Sequence, residues 1–188
     1  MPFEESRTWR RGSGRADFYT KAARPHLGDR ERERRRKKVV KPEDMPWEDS
    51  PQGRLKHLCN AEMDVRVNSV DAYIQELAAG GRSGKHRHMA DEVLYVLEGR
   101  GHDLHWDVDF ELATTYVWKP TAEPSRWEWA EGDLVYIPPN TVHQHFNDDP
   151  ERPARFLSAQ NRVFKHLGYD DVEQLEPAPE WRSVGPAR

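Results

Sequence analysis

Two stretches decide the reading of this chain. One is Gly80-Gly81-Arg82-Ser83-Gly84-Lys85-His86-Arg87-His88-Met89-Ala90-Asp91-Glu92, running on to Gly99. The other is Gly132-Asp133-Leu134-Val135-Tyr136-Ile137-Pro138-Pro139-Asn140-Thr141-Val142-His143-Gln144-His145-Phe146-Asn147. Between them they offer His86, His88, Glu92 and His143. Three imidazoles and one carboxylate are a natural ligand set for a divalent transition metal. In a strand, residues i and i+2 share a face, so His86 and His88 project together and Arg87 points away. Residues 89–91 turn the chain and Glu92 opens the next strand. His143 belongs to a separate pair of strands, 133–137 and 142–146, joined through Pro138-Pro139-Asn140-Thr141, where Asn140 tolerates positive φ. If the sheet closes, all four side chains face one interior.

From about residue 54, short runs rich in β-branched and aromatic residues alternate with Gly, Pro, Asn and Asp. They cover 63–70, 71–78, 92–98, 101–111, 114–119, 126–129, 133–137, 142–146 and 154–160. This pattern predicts an all-β sandwich or barrel.

The spacing of both stretches resembles the two motifs of the cupin superfamily. Gly80, His86-x-His88, Glu92 and Gly99 follow the first motif; Gly132, Pro138, His143 and Asn147 follow the second. Asn140 stands where the family usually has Gly, the least disruptive replacement in a turn. The 32 residues between Gly99 and Gly132 are long for the family. The resemblance covers roughly residues 60–160. It implies a single-domain (monocupin) double-stranded β-barrel, or jelly roll, over 54–165. An N-terminal basic, partly helical or irregular arm over 1–53 precedes it, and a C-terminal tail over 166–188 follows.

One divalent metal ion per chain is the expected cofactor. Fe(II), Mn(II), Ni(II), Co(II) and Zn(II) all suit this donor set. Four protein ligands on an octahedral ion leave two positions for a chelating substrate, or for a substrate atom and O2, which favours Fe(II).

His145 lies two after His143 and shares its face. It is either a proton-handling catalytic residue or a packing histidine with its polar atoms satisfied. Asn147 reads as a turn stabiliser. Trp127 and Trp129 share a face ahead of the Glu131-Gly132 turn and, with Trp106, offer an aromatic wall for a planar substrate; packing between sheets or subunits is the blander role. Gln75, alternating with Ile74, is a pocket candidate, and Arg100 could hold a carboxylate.

The chain has 188 residues, 36% of them hydrophobic, and a net charge of −4. With a mean hydropathy of −1.01, part of it is expected outside the core. Residues 1–41 carry +8 and the remainder −12. Such a basic arm can bind nucleic acid or lie on an acidic surface of its own kind; the second is favoured because that surface is already in the chain. Glu31 and Glu33 precede Arg35 and Lys37 by four positions, which supports an exposed helix before Pro42 ends it. Trp9, Phe18 and Tyr19 are scattered apolar anchors in that arm, and Trp47 marks a docking segment. A short helix or turn is expected around 163–175, before a tail punctuated by Pro177, Pro179 and Pro186.

The one cysteine, Cys59, excludes an intrachain disulfide and fits a reducing, cytoplasmic setting. The N-terminus lacks a signal-peptide apolar region, and no apolar run is long enough to span a bilayer. There is no phosphate loop and no nucleophile elbow.

The cupin resemblance implies a metal-dependent enzyme, and its family-weighted expectation is a non-haem iron dioxygenase cleaving a C–C bond in an oxygenated aromatic or enol-type small molecule. It is expected to act as a homodimer without membrane or nucleic-acid partners. Two alternatives stay open. One is a redox-neutral isomerase, lyase or decarboxylase. The other is a non-catalytic small-molecule sensor whose basic arm contacts nucleic acid.

Overall fold

The computed structural model describes residues 31, 33–67, 69–112, 116–168 and 172–182. Contacts divide the chain into two units, Met1–Arg36 and Lys37–Arg188. In the first, the described residues make a helical turn in which Glu31 pairs with Arg35 and Glu33 with Arg36 at 3.0 Å. Lys37, four residues after Glu33, belongs to the second unit, where its Nζ lies 2.9 Å from Asp44 Oδ2. Trp9, Phe18, Tyr19 and Pro186 lie outside the described residues.

The described residues of the second unit form thirteen strands. The first seven are β1 (Trp47–Ser50), β2 (Gly53–Cys59), β3 (Val70–Leu77), β4 (Lys85–Arg87), β5 (Glu92–Glu98), β6 (Arg100–Trp106) and β7 (Val108–Leu112). The rest are β8 (Tyr116–Pro120), β9 (Ser125–Ala130), β10 (Leu134–Ile137), β11 (Val142–Asn147), β12 (Ala154–Asn161) and β13 (Glu173–Glu176). One sheet runs β1-β2-β3-β12-β5-β10 and the other β13-β4-β11-β6-β9, with every pairing antiparallel. The two sheets pack face to face as a jelly roll, with Trp129 of β9 seated among Leu77, Leu94, Val96, Ile137, Ala154 and Phe156 of the larger sheet and its flank.

Strands reach from Trp47 to Glu176, on both sides of the expected 54–165 span. β1 reads Trp-Glu-Asp-Ser and shows three of its four side chains to solvent, so alternation of apolar residues could not reveal it. Its Trp47 ring sits beneath the Arg54 guanidinium, 4.6 Å from the centroid. The strand expected over 63–70 is not continuous among the described residues: Asn60 Oδ1 accepts from the Glu62 and Met63 amides at 3.0 Å each in the turn before it, Val65 forms only an isolated bridge, and Val70 already opens β3. The expected 101–111 strand breaks at Asp107 into β6 and β7. The extra length of the 100–131 connection is the separate β7–β8 hairpin. Downstream, 163–166 is a short helix.

Alternation along the inner strands divides the interior in two. β5 presents Glu92, then Leu94 and Val96; β12 presents Gln160 and Ser158, then Phe156 and Ala154; β3 presents Tyr73 and Gln75, then Leu77. One end is therefore polar and the other apolar. The apolar end carries the hydrophobic stabilisation, at roughly 1.5–3 kcal/mol per fully buried large side chain. The polar end costs stability unless each group finds a partner.

Candidate metal centre

His86 lies on β4 and His88 just beyond it; Glu92 opens β5 and His143 sits near the start of β11, directly opposite His86 in the ladder. The two motifs are tied where the Asn140 amide donates to the His88 carbonyl at 2.9 Å. Asn140 holds φ at 62°, the turn conformation expected of it. All four side chains are at most 1% exposed, and one ligand atom from each lies within 4.8 Å of the others.

The three imidazoles are oriented alike. Nδ1 donates to a backbone carbonyl two residues away: His86 to Gly84 at 3.2 Å, His88 to Ala90 at 2.7 Å and His143 to Thr141 at 2.9 Å. A carbonyl can only accept, so each ring keeps its Nε2 lone pair for a ligand. Nε2 of His86 and of His143 is buried with no hydrogen-bond partner among the described residues. Nε2 of His88 faces Glu92 Oε2 at 3.0 Å, and His143 Nε2 lies 3.7 Å from the same oxygen. Lone pairs converging in this way call for a positive charge between them. The residues therefore fit a bound divalent ion, held by three Nε2 atoms and Glu92 Oε2.

Electrostatics agree. Burial, helped by the charge of His88, brings the His86 pKa down to about 3. Burial likewise holds His143 well below its usual value. Glu92 would be raised by burial, but the imidazoles crowded against it, His88 first and then His143, outweigh this and hold it well below the usual carboxylate range. Near neutral pH these three offer unprotonated donors.

Glu92 is also braced from behind. Tyr73 Oη donates to Glu92 Oε1 at 3.0 Å, and Ser158 Oγ donates to the same oxygen. Oε1 is thereby used and Oε2 left for the ion. Sequence reasoning missed Ser158 and Gln160 and gave Tyr73 no role. The signal is in the sequence: 154–160 reads as a strand, and polar residues at 158 and 160 alternate with its apolar ones.

His145 does share the interior with His143, its ring centroid 5.4 Å away. Its Nδ1 makes an ion-pair contact of 2.9 Å with Asp103 Oδ2, and its ring packs on Phe156 at the border of the apolar end. The contact with Asp103 has ion-pair distance but not hydrogen-bond geometry; the hydrogen bonds that the fully buried Asp103 accepts come from Trp129 Nε1 at 2.8 Å and His105 Nε2 at 3.4 Å. Burial alone would lower the His145 pKa; the Asp103 charge outweighs it and raises it. Burial would raise Asp103, but His145 and His105 bring it down to about 2.

The remaining sequence candidates scatter. Trp129 is buried on the interior wall, its indole admitted by Gly101, where a Cβ would come within 2.6 Å of the ring. Trp127, two residues away on the edge strand β9, is 54% exposed. Trp106 alternates with the buried His105 and lies on the other face, with Lys85 Nζ 3.7 Å above its ring. Arg100 is exposed at the far end of β6, about 17 Å from His105 at the rise of a strand. Neither Trp106 nor Arg100 is brought to the ligand set. Gln75 shares the inner face with Tyr73, its Nε2 donating to the Gln52 carbonyl at 2.8 Å. Asn147 pins its turn, donating to the Ala78 and Arg152 carbonyls at 2.9 and 2.8 Å.

The family model for auxin binding protein matches residues 34–174. The chain belongs to the auxin binding protein family. It is thus a single-domain cupin, as its motifs imply. Auxin-binding proteins T92 and T85 of Nicotiana tabacum are each 25% identical to it over 130 residues, 68% of this chain. The matched region spans 66% of the length of those relatives. Among solved structures, oxalate decarboxylase of Bacillus subtilis is similar with a TM-score of 0.53 and 16% identity, over 71% of this chain and 30% of that one. A cupin-like protein of Thermotoga maritima aligns with a TM-score of 0.47 and 24% identity, over 66% and 76%. The likeness to the decarboxylase shows the fold alone.

Proposed function

We propose that the protein is a metal-dependent cupin enzyme, a mononuclear non-haem iron dioxygenase that cleaves a C–C bond in an oxygenated aromatic or enol-type small molecule. The observation that carries the metal reading is the convergence of His86, His88 and His143 Nε2 with Glu92 Oε2 in a buried, charge-demanding cluster. When bound, the ion supplies positive charge to polarise substrate oxygens and, as iron, a redox path between substrate and O2. Both oxygen atoms enter the product, so no external reductant is needed.

The chain's own residues supply the rest. Tyr73 and Ser158 hold Glu92 with one oxygen turned inward. Asp103 holds the His145 ring and favours its charged form, so His145 can give a proton to a developing oxyanion or carbanion and recover it afterwards. Phe156 and Trp129 close the apolar end and exclude water from it.

A second reading is favoured by that same His145–Asp103 pair. A buried proton donor beside a metal site is what a redox-neutral decarboxylase or isomerase requires. Bacillus subtilis oxalate decarboxylase, which shares the fold, has Mn(II) centres. Oxygen uptake decides between the two readings. Iron-loaded protein mixed with catechols, gentisate-like acids and diketones is expected to consume O2 with at least one of them. Turnover of a substrate without O2 loss would give the redox-neutral reading.

The name of the Nicotiana relatives, auxin-binding protein, supports a small-molecule ligand. The protein is proposed to act in the cytoplasm as a homodimer. Val93, Tyr95 and Leu97 of β5 and Leu134 and Tyr136 of the edge strand β10 are 37–61% exposed on the outer face of the larger sheet. Together they expose on the order of 400 Å², about half of what each partner buries in a stable dimer. A second copy is the proposed occupant.

A further inference from the structure

Gln160 is 2% exposed on the inner face of β12, opposite Glu92 in the β12–β5 ladder. Its Nε2 donates to Tyr73 Oη at 3.1 Å. Tyr73 has a single hydroxyl hydrogen and gives it to Glu92 Oε1. The phenol oxygen can therefore only accept from Gln160, which fixes the amide with its nitrogen towards Tyr73. The same nitrogen lies 3.5 Å from His88 Nε2, so the amide stands beside the atom that faces the metal. The amide oxygen Oε1 is buried and has no hydrogen-bond partner among the described residues. An apolar side chain would fill this position without leaving a buried acceptor unmatched, as Phe156 does four residues earlier on the same strand and face.

We propose that Gln160 determines ligand specificity. Its Oε1 accepts a hydrogen bond from an O–H group of a small molecule that chelates the metal held by His86, His88, Glu92 and His143. The site then favours chelators that keep a hydroxyl hydrogen, such as 2-hydroxy acids or singly ionised enols and diols, over those in which it is blocked. This deepens the metal-dependent reading above and rests on it.

The test uses the full-length protein loaded with Co(II), with glycolate and methoxyacetate as probes. Both bring a carboxylate and an α-oxygen; only glycolate carries the O–H. Dissociation constants come from calorimetry or the Co(II) visible band, beside the ratio of the two probes for aqueous Co(II). Metal content is measured on every sample. The wild type is expected to favour glycolate about tenfold beyond the aqueous ratio, the worth of one hydrogen bond. Gln160→Met is expected to return the ratio to the aqueous value with its metal retained. An aqueous ratio in the wild type overturns the proposal whether or not the variant folds. So does failure of the loaded wild type to bind either probe, or an unchanged preference in Gln160→Met. Loss of metal from Gln160→Met would make the amide a support for Glu92 instead, and also overturns it. Wild-type protein that takes up no Co(II) would overturn the metal reading itself, a separate outcome.

Discussion

His145 and Asp103 stand directly opposite one another in the β11–β6 ladder, and the imidazole Nδ1 lies 2.9 Å from the carboxylate Oδ2. Both are almost wholly buried, so the contact sets the charge of each. Removing the carboxylate would strand a buried imidazolium and the Trp129 N–H. Asp103→Ala is expected to cost about 3 kcal/mol of stability, the usual penalty for breaking a buried pair. Asp103→Asn keeps an acceptor for Trp129 but removes the charge, so the His145 pKa should fall. Urea denaturation reads the first effect and NMR titration of the His145 ring the second. An unchanged His145 titration in Asp103→Asn would contradict the pairing.

Tyr73 and Ser158 act on the metal only through Glu92 Oε1. Groups that orient a ligand from behind are commonly worth 10–100-fold in metal affinity. Tyr73→Phe and Ser158→Ala are each expected to weaken binding by about tenfold while the fold persists. Competition with a chromophoric chelator measures this. Full affinity in both variants would show that Glu92 needs no bracing.

The buried ligand histidines make the metal-free protein sensitive to acid. His86 is held at about 3 and His143 well below its usual value, whereas both titrate near 6.5 when unfolded. Above that pH neither state is charged and nothing is lost. Below it the unfolded chain takes up protons that the folded chain refuses, so stability falls. His145 works in the opposite sense: its raised pKa gives a contribution fully present below the unfolded value and lost as pH rises through the folded one. Two groups against one leave a net loss of about 1–2 kcal/mol between pH 7 and 5.5. Denaturant titration of chelator-treated protein at the two pH values checks this; equal stability would contradict the tautomers assigned to the site.

The apolar outer face gives a prediction about assembly. Leu134→Glu places a charge on the edge strand at the most exposed of the five apolar positions. Light scattering is expected to show a dimer for the wild type and a monomer for the variant, with metal content unchanged. A wild-type monomer would remove the second copy as occupant.

What the sequence showed and what it hid divide along physical lines. The ligands were legible because strand alternation and turn chemistry fix where His86, His88, Glu92 and His143 point, and Asn140 adopts the positive φ that its side chain tolerates. β1 was hidden because its exposed polar side chains carry no alternating signal. The role of Asp103 was hidden for another reason. Which strand lies beside β11 is set by sheet topology, and an acidic residue in a long connection looks solvated until that topology is known. Trp106 misled because its position was read from aromatic content, whereas its parity on β6 turns it away from His105 and the interior.

Metal content tests the central claim most directly. Protein purified anaerobically and analysed by elemental mass spectrometry is expected to carry about one transition-metal ion per chain, with His143→Ala losing most of it while keeping its β-rich circular dichroism. Equal metal in wild type and His143→Ala, or a folded wild type that binds none when iron, manganese or cobalt is supplied, would contradict the account.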